Sequence, residues 1–155
     1  MISEPSSLAL YAFIGFLIGF GIKAGMFPLH VWLPDAHPAA PAPASALLSG
    51  IMIKTGAYGL IRVTTDIFSP KFFGLVNWEA SLLVLAAITI LLGSALAILQ
   101  DNLKRRLAYS SIAQIGYILL GIGLLSEQAM VGAVYHIFTH AFMKGCLFLC
   151  AGAII

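Results

Sequence analysis

Residues 80–99 run without a single formal charge. A helix of that length is about 30 Å long, the thickness of a bilayer's hydrocarbon core. The pattern recurs along the chain, with long apolar runs at 8–27, 44–63, 80–100, 107–125 and 129–155. Charged residues make up 9% of the sequence, against about 25% in a soluble domain. These observations exclude a soluble domain. They predict an all-α, polytopic membrane protein with about five transmembrane helices, organised over residues 1–155 as one membrane segment.

The remaining composition narrows the function classes. The formal net charge is +2 and no basic run is long enough to suggest nucleic acid. Residues 1–7 lack a positive n-region, so no cleaved signal peptide is expected. Cys146 and Cys150 have C-x3-C spacing and no second pair, which argues against metal or redox use and for simple buried cysteines.

The stretch between Lys23 and Lys54 carries the charges that an apolar run ordinarily excludes. A lysine at a membrane helix centre costs roughly 2.5–3.5 kcal/mol, and such residues commonly mark an ion or proton path. Gly25 and Pro28 follow Lys23 closely. Proline removes a helix donor and disfavours helix in the residue before it, so a broken helix over 8–32 is expected, interrupted between Gly25 and Pro28. Broken membrane helices frequently line transport sites. The plainer reading is an interfacial turn with Lys23 snorkelling to the headgroups. The pairs Gly15/Gly19 and Gly21/Gly25 have the small-x3-small spacing that permits close helix approach.

Residues 32–43 contain Pro34, Pro38, Pro41 and Pro43 and read as a loop, with Asp35 and His37 adding polarity and Trp32 fitting an interfacial aromatic belt. In the next run, Ser45 is a candidate early-turn cap and Lys54 lies near the middle, too deep to snorkel. Gly56 and Gly59 suggest a bend, and Arg62 reaches toward the interface. Residues 64–78 read as a connection and 80–100 as scaffold. The most basic loop is 101–106. Tyr109, Ser110, Ser111 and Gln114 make the first half of 107–125 polar, and a glutamine in lipid requires a partner.

In the last run His136, His140 and Lys144 recur at i, i+4 and i+8, on one face of one helix. An interhelical hydrogen-bond seam would explain them; a proton-relay face explains better why three titratable groups stand in line. Zinc would need a third strong ligand, which that face lacks. Desolvation disfavours a charged amine, which suits a lysine that loads and unloads a proton, and histidine titrates near neutrality. Lys23, Lys54, His136, His140 and Lys144 are therefore the candidate relay. The apolar runs hold no carboxylate beyond Glu79 at an edge, so protons are favoured over sodium, which prefers hard oxygen ligands. Residues outside this chain remain an alternative source of sodium ligands. Lys104, Arg105 and Arg106 mark their side as cytoplasmic, with the N-terminus outside.

These residues also carry a resemblance. KAGMFPLHVWLPDAHPAAPAPASALLSGIMIKTGAYGLIR, LKRRLAYSSIAQIGYILLGIG and HIFTHAFMKGCLFLCAGAI, in this order from about Phe20 to Ile155, resemble the antiporter-like membrane subunits. That family serves respiratory complex I, Mrp-type cation/proton antiporters and energy-converting membrane-bound hydrogenases. The resemblance implies a bundle of about fourteen helices built from two inverted five-helix repeats, each with one discontinuous helix. It implies that Lys23 corresponds to the lysine of the first discontinuous helix and Lys54 to the connecting lysine of the next. His136, His140 and Lys144 correspond to the central relay, and Asp35 and His37 to a loop motif with a structural role. The family pairs its first lysine with a glutamate on an earlier helix. Glu4 is no substitute for it, and the second discontinuous helix is absent, so the sequence reads as a middle section.

The expectation is a proton-translocating, antiporter-like segment of a redox-driven or cation/proton antiport complex. The alternatives are a structural membrane-arm subunit and a quinone-site subunit using Tyr109 or Trp32. No nucleotide, haem, flavin or iron–sulfur motif is present, so neither a cofactor nor catalysis is expected on this chain. Expected partners are other membrane subunits, protons or sodium, and lipid, in a bacterial or archaeal cell membrane.

Overall fold

A computed structural model describes residues 2, 6–76 and 78–154. Glu4 and the final residue of the last apolar run, Ile155, lie outside the described residues. The chain is all-helical, with no named strand among the described residues. Helix α1 is Ser7–Ala24, α2 is Trp32–Ala39, α3 is Ala42–Leu47, α4 is Ile53–Arg62, α5 is Pro70–Val76, α6 is Trp78–Ile98, α7 is Leu103–Gly123 and α8 is Glu127–Ile154. Two π-helical turns, Leu48–Met52 and Val63–Ile67, join α3 to α4 and extend α4. Four stretches are long and apolar enough to cross a membrane: Ser7–Ala24, Ala42–Ile67, Trp78–Ile98 and Glu127–Ile154. Helix α7 is 21 residues long. Lys104, Arg105 and Arg106 in its first turn make it the most polar of the long helices.

The bundle has two ends. At one, Phe13 of α1 packs edge-on against Phe68, Phe73 and Trp78, and Ile2 pairs with Phe68. At the other, Lys104 Nζ donates to the Ala40 carbonyl at 3.2 Å, Arg105 pairs with Asp35, and Gly152 lies against Ala42. Between them α7 is the central element, packed on α6, α8 and α2. Small residues set these contacts, because lipid offers no hydrophobic gain for burying one helix on another and close packing must supply the attraction. A Cβ on Gly93 would stand 2.7 Å from the Ala113 nitrogen.

Helix α1 stops short of the far end. Gly25 closes it with φ 73, and its N–H bonds back to the Gly21 and Ile22 carbonyls. A left-handed residue here favours glycine, which has no Cβ penalty. Trp32 donates its indole N–H to the Ile22 carbonyl at 2.8 Å. Pro28 lies in the turn between the helices, as the sequence predicts. The last turn of α1 lies against Gly56, where a Cβ would come within 2.5 Å of the Ala24 nitrogen and 2.8 Å of the Phe20 carbonyl oxygen. Gly56 is about 17 Å of helix from Ile67, in an uninterrupted 26-residue helical stretch, Ala42–Ile67. The break therefore falls near mid-depth of the bundle.

Several expectations are corrected. The loop expected at 32–43 holds α2. Pro34 occupies its first turn, where a missing N–H costs little. Pro41 is the N-cap position of α3 and Pro43 lies in its first turn. Ser45 is not a cap: its hydroxyl donates to the His37 carbonyl at 3.0 Å, tying α3 to α2. Gly56 and Gly59 admit α1, and the departures from α-helical geometry lie at Leu48–Met52 and Val63–Ile67. Gly15 and Gly19 have open space around them among the described residues, so that pair brings no helix close here. Helix α7 starts within the expected basic loop because the Asn102 side chain accepts the Arg105 N–H at 3.1 Å, an N-cap. Residues 64–78 hold a π-helical turn and α5.

Replacing Gly56 by Ala forces backbone against backbone, so α1 must move. The expected cost is about 1–3 kcal/mol, read as a fall of several degrees in the thermal midpoint of the purified assembly.

Candidate functional site

Lys54 of α4, His140 and Lys144 of α8 are buried, at 5%, 1% and 2% exposure. Each ammonium is supplied with oxygen. Lys54 Nζ donates to the Ser49 carbonyl within the π-helical turn. A lysine side chain leans toward the start of its helix, and the wide turn presents a carbonyl there. Lys144 Nζ donates to the Leu107 carbonyl at 3.0 Å and to the Ser110 hydroxyl. The Ser49 and Ser111 hydroxyls are 2.9 Å apart, and Ser111 also donates to Leu107 at 3.0 Å. Lys54 and Lys144 are thus connected through Ser49, Ser111 and the Leu107 carbonyl by direct contacts between three helical segments.

The imidazoles have a different environment. His136 and His140 stack with centroids 5.7 Å apart. Both nitrogens of His140 and Nε2 of His136 are buried without a hydrogen-bond partner among the described residues. His37 is also fully buried, stacks on Phe148 at 4.4 Å, and has neither nitrogen bonded. Phe148 is one turn beyond Lys144, so one face of α8 carries His136, His140, Lys144 and the contact to His37 in succession. Buried polar atoms left open by the protein are ordinarily bridged by internal water, which needs two to four polar partners. At the near end Gln114 and Tyr117 of α7 and His136 line one open cavity between α7 and α8.

Of the five expected relay residues, the fold brings His140 and Lys144 to the buried face of α8, turned toward Lys54. His136 is half-buried at its edge. Lys23 is elsewhere: its side chain is exposed and lines a cleft with Leu48, Ile51, Met52 and Thr55 on the opposite side of α4. The backbone of Lys23 nevertheless lies against Gly56, two residues from Lys54, so the two lysines stand at similar depth. Gly25 and Pro28 stand at the break, beside Lys23.

Ser49, Ser110 and Ser111 were not singled out as ligands by the sequence, although the polar start of α7 marked two of them. Cys146 and Cys150 are exposed, contrary to expectation. The buried face of α8 runs through Ala133, His140, Lys144, Phe148 and Ala151 and leaves both cysteines off it. Asp35 pairs with Arg105 at the bundle end, with side chains 66% and 44% exposed.

The fold is that of a polytopic helical membrane protein with a broken helix and cations buried between its helices. Residues 2–155 match the family described as NADH:quinone oxidoreductase/Mrp antiporter, transmembrane, and the chain belongs to it. The match reaches eighteen residues further toward the N-terminus than the resemblance read from the motifs, which began near Phe20. An NAD(P)H-quinone oxidoreductase chain 4 of Picosynechococcus sp. is 44% identical over 96% of this chain and 27% of its own length. Hydrogenase-4 component B of Escherichia coli is 43% identical over 99% of this chain and 24% of its own. A chloroplastic NAD(P)H-quinone oxidoreductase chain 4 of Lotus japonicus is 39% identical over 97% and 30%. A subunit in the structure of the Mrp complex from Dietzia sp. superposes with a TM-score of 0.87 and 28% identity, over 97% of this chain and 27% of that one. The chain spans about a quarter of the length of the relatives it matches.

Exposed ion pairs contribute about 0–1 kcal/mol. Asp35→Asn and Arg105→Ala are each expected to lower the thermal midpoint of the purified assembly by no more than about 4 °C and to leave transport unchanged. Loss of transport in either variant would assign the pair more than the structural role expected of Asp35.

Proposed function

We propose that this chain is a proton-translocating segment of an antiporter-like subunit, with Lys23, Lys54, His136, His140 and Lys144 as its relay. The observation that supports this most directly is that Lys54, His140 and Lys144 are buried between the apolar helices, with imidazole nitrogens of His136 and His140 that no group among the described residues satisfies. Apolar side chains would fill the same volume without the cost of burying charge. Groups that gain and lose protons, linked by water, account for that cost. The ion is the proton, since Lys54 and Lys144 repel a metal cation from the same interior.

Lys23 enters the relay from the other side of α4. Its exposure within this chain fits a carboxylate supplied from elsewhere in the full-length subunit, across the cleft that Lys23 lines. The partners are the neighbouring membrane subunits of a redox-driven or antiport complex, in a bacterial or archaeal cell membrane. His37 keeps the structural role of its motif through its stack on Phe148.

One observation favours the reading of these residues as structural glue: Lys54 and Lys144 are already hydrogen-bonded to protein oxygens, as interhelical ties would be. Transport separates the two. In the complete complex, Lys54→Ala or Lys23→Ala is expected to reduce proton pumping by about a hundredfold or more, the low end for losing a positioned proton-transfer group. Lys54→Met, which fills the volume without titrating, should assemble normally and pump as poorly as Lys54→Ala. Unchanged pumping in both alanine variants, with normal assembly, contradicts the proposal. Failed assembly of Lys54→Met with no specific transport defect favours the glue.

A further inference from the structure

The motifs that signalled function contain lysines and histidines; the contacts that join two of those lysines are made by serines. Ser49 and Ser111 are both fully buried. Their hydroxyl oxygens are 2.9 Å apart although 62 residues separate them in sequence. Each hydroxyl has one proton to give. Both protons find an acceptor when Ser111 donates to the Leu107 carbonyl and Ser49 donates to Ser111. The hydrogen bonds therefore run in one direction, from Ser49 through Ser111 to Leu107. At the Leu107 end they meet Lys144, whose ammonium donates to the same carbonyl. At the Ser49 end the backbone carbonyl of the same residue holds Lys54. Ser49 also lies in the π-helical turn Leu48–Met52, a local geometry that recurs at functional sites.

We propose that Ser49 and Ser111 are a positioning pair that couples Lys54 to Lys144. Three side-chain donors share the Leu107 carbonyl: Lys144 Nζ and the hydroxyls of Ser110 and Ser111. When Lys144 gives up a proton, that carbonyl is left more fully to the two serine hydroxyls, and the Ser111–Ser49 contact strengthens with the Ser111 bond, because hydrogen bonds in series polarise one another. The change is felt at the turn whose carbonyl holds Lys54. The state of one lysine thereby reaches the other along fixed protein contacts, while water at the histidines carries the proton itself. No proton leaves either serine in this scheme.

The inference rests on the proposed relay, and the test keeps the two apart. The complete complex is reconstituted in vesicles. Acidification is followed with a ΔpH-sensitive dye and divided by the rate of the reaction or gradient that drives it. Ser49→Ala and Ser111→Ala are each expected to lower protons moved per driving turnover by about fivefold, the worth of one hydrogen bond. A structural defect would instead reduce the amount of complex and leave that ratio unchanged. Ser111→Thr and Ser111→Val have the same shape and differ in the hydroxyl. Thr should retain the ratio within about twofold and Val should lose it. If either alanine variant assembles poorly, the Thr/Val comparison decides, and the double variant Ser49→Ala/Ser111→Ala removes both partners without stranding one. An unchanged ratio in the alanine variants, or equal ratios for Thr and Val, overturns the positioning pair. Lys54→Ala is the control. If it abolishes pumping while the serine variants do not, the pair alone fails; if it too leaves the ratio unchanged, the relay fails.

Discussion

An ammonium at bilayer depth must be given oxygen, and most of this architecture follows from how that demand is met without carboxylates. In a regular helix every carbonyl is spent on an N–H four residues on. The π-helical turn before α4 breaks that regularity and presents Ser49 to Lys54. Lys144 takes its oxygen from the start of α7, where Leu107 and Ser110 face α8. One face of α7, carrying Leu107, Ser110 and Ser111, supplies oxygen to Lys144 and meets Ser49, which sets α7 at the centre of the site. The small residues Gly93, Ala113 and Gly116 let α6 lie close against it.

The broken helix answers a second demand of the same kind. Stopping α1 near mid-depth leaves carbonyls open that lipid cannot satisfy. Gly25 turns the chain so that its own N–H covers two of them, and Trp32 reaches back to Ile22. Gly56 lets this termination sit directly on α4. The geometry brings Lys23 and Lys54 to similar depth on opposite sides of one helix. Apolar packing of Phe13 with Phe68, Phe72 and Phe73 anchors the other end of α1.

The sequence disclosed the class, the break and the buried titratable groups, because each breaks a strong rule: charge absent over bilayer lengths, proline after glycine, lysine within an apolar run. The face shared by His136, His140 and Lys144 followed from helical spacing alone. What escaped was tertiary. Prolines at 34, 38, 41 and 43 read as a loop, since propensity does not disclose that several of them fall in first turns or cap positions. Gly56 and Gly59 resembled a hinge because sequence does not say which helix lies against a glycine. Serines are common in membrane helices, so Ser49 carried no signal and Ser111 only that of a polar helix start, until two segments far apart in the chain met. The exposure of Cys146 and Cys150 depended on which face of α8 is interior, the one that carries Ala133, His140, Lys144, Phe148 and Ala151.

The relay requires the buried imidazole nitrogens of His136 and His140 to be in contact with water that also reaches Lys54 and Lys144. A structure of the complete complex, at a resolution that orders internal water, tests this most directly. The account predicts water oxygens within hydrogen-bonding distance of both nitrogens of His140, continuing to Nζ of Lys54 and of Lys144. Those nitrogens enclosed by apolar side chains alone, in every conformational state of the working complex, would contradict it.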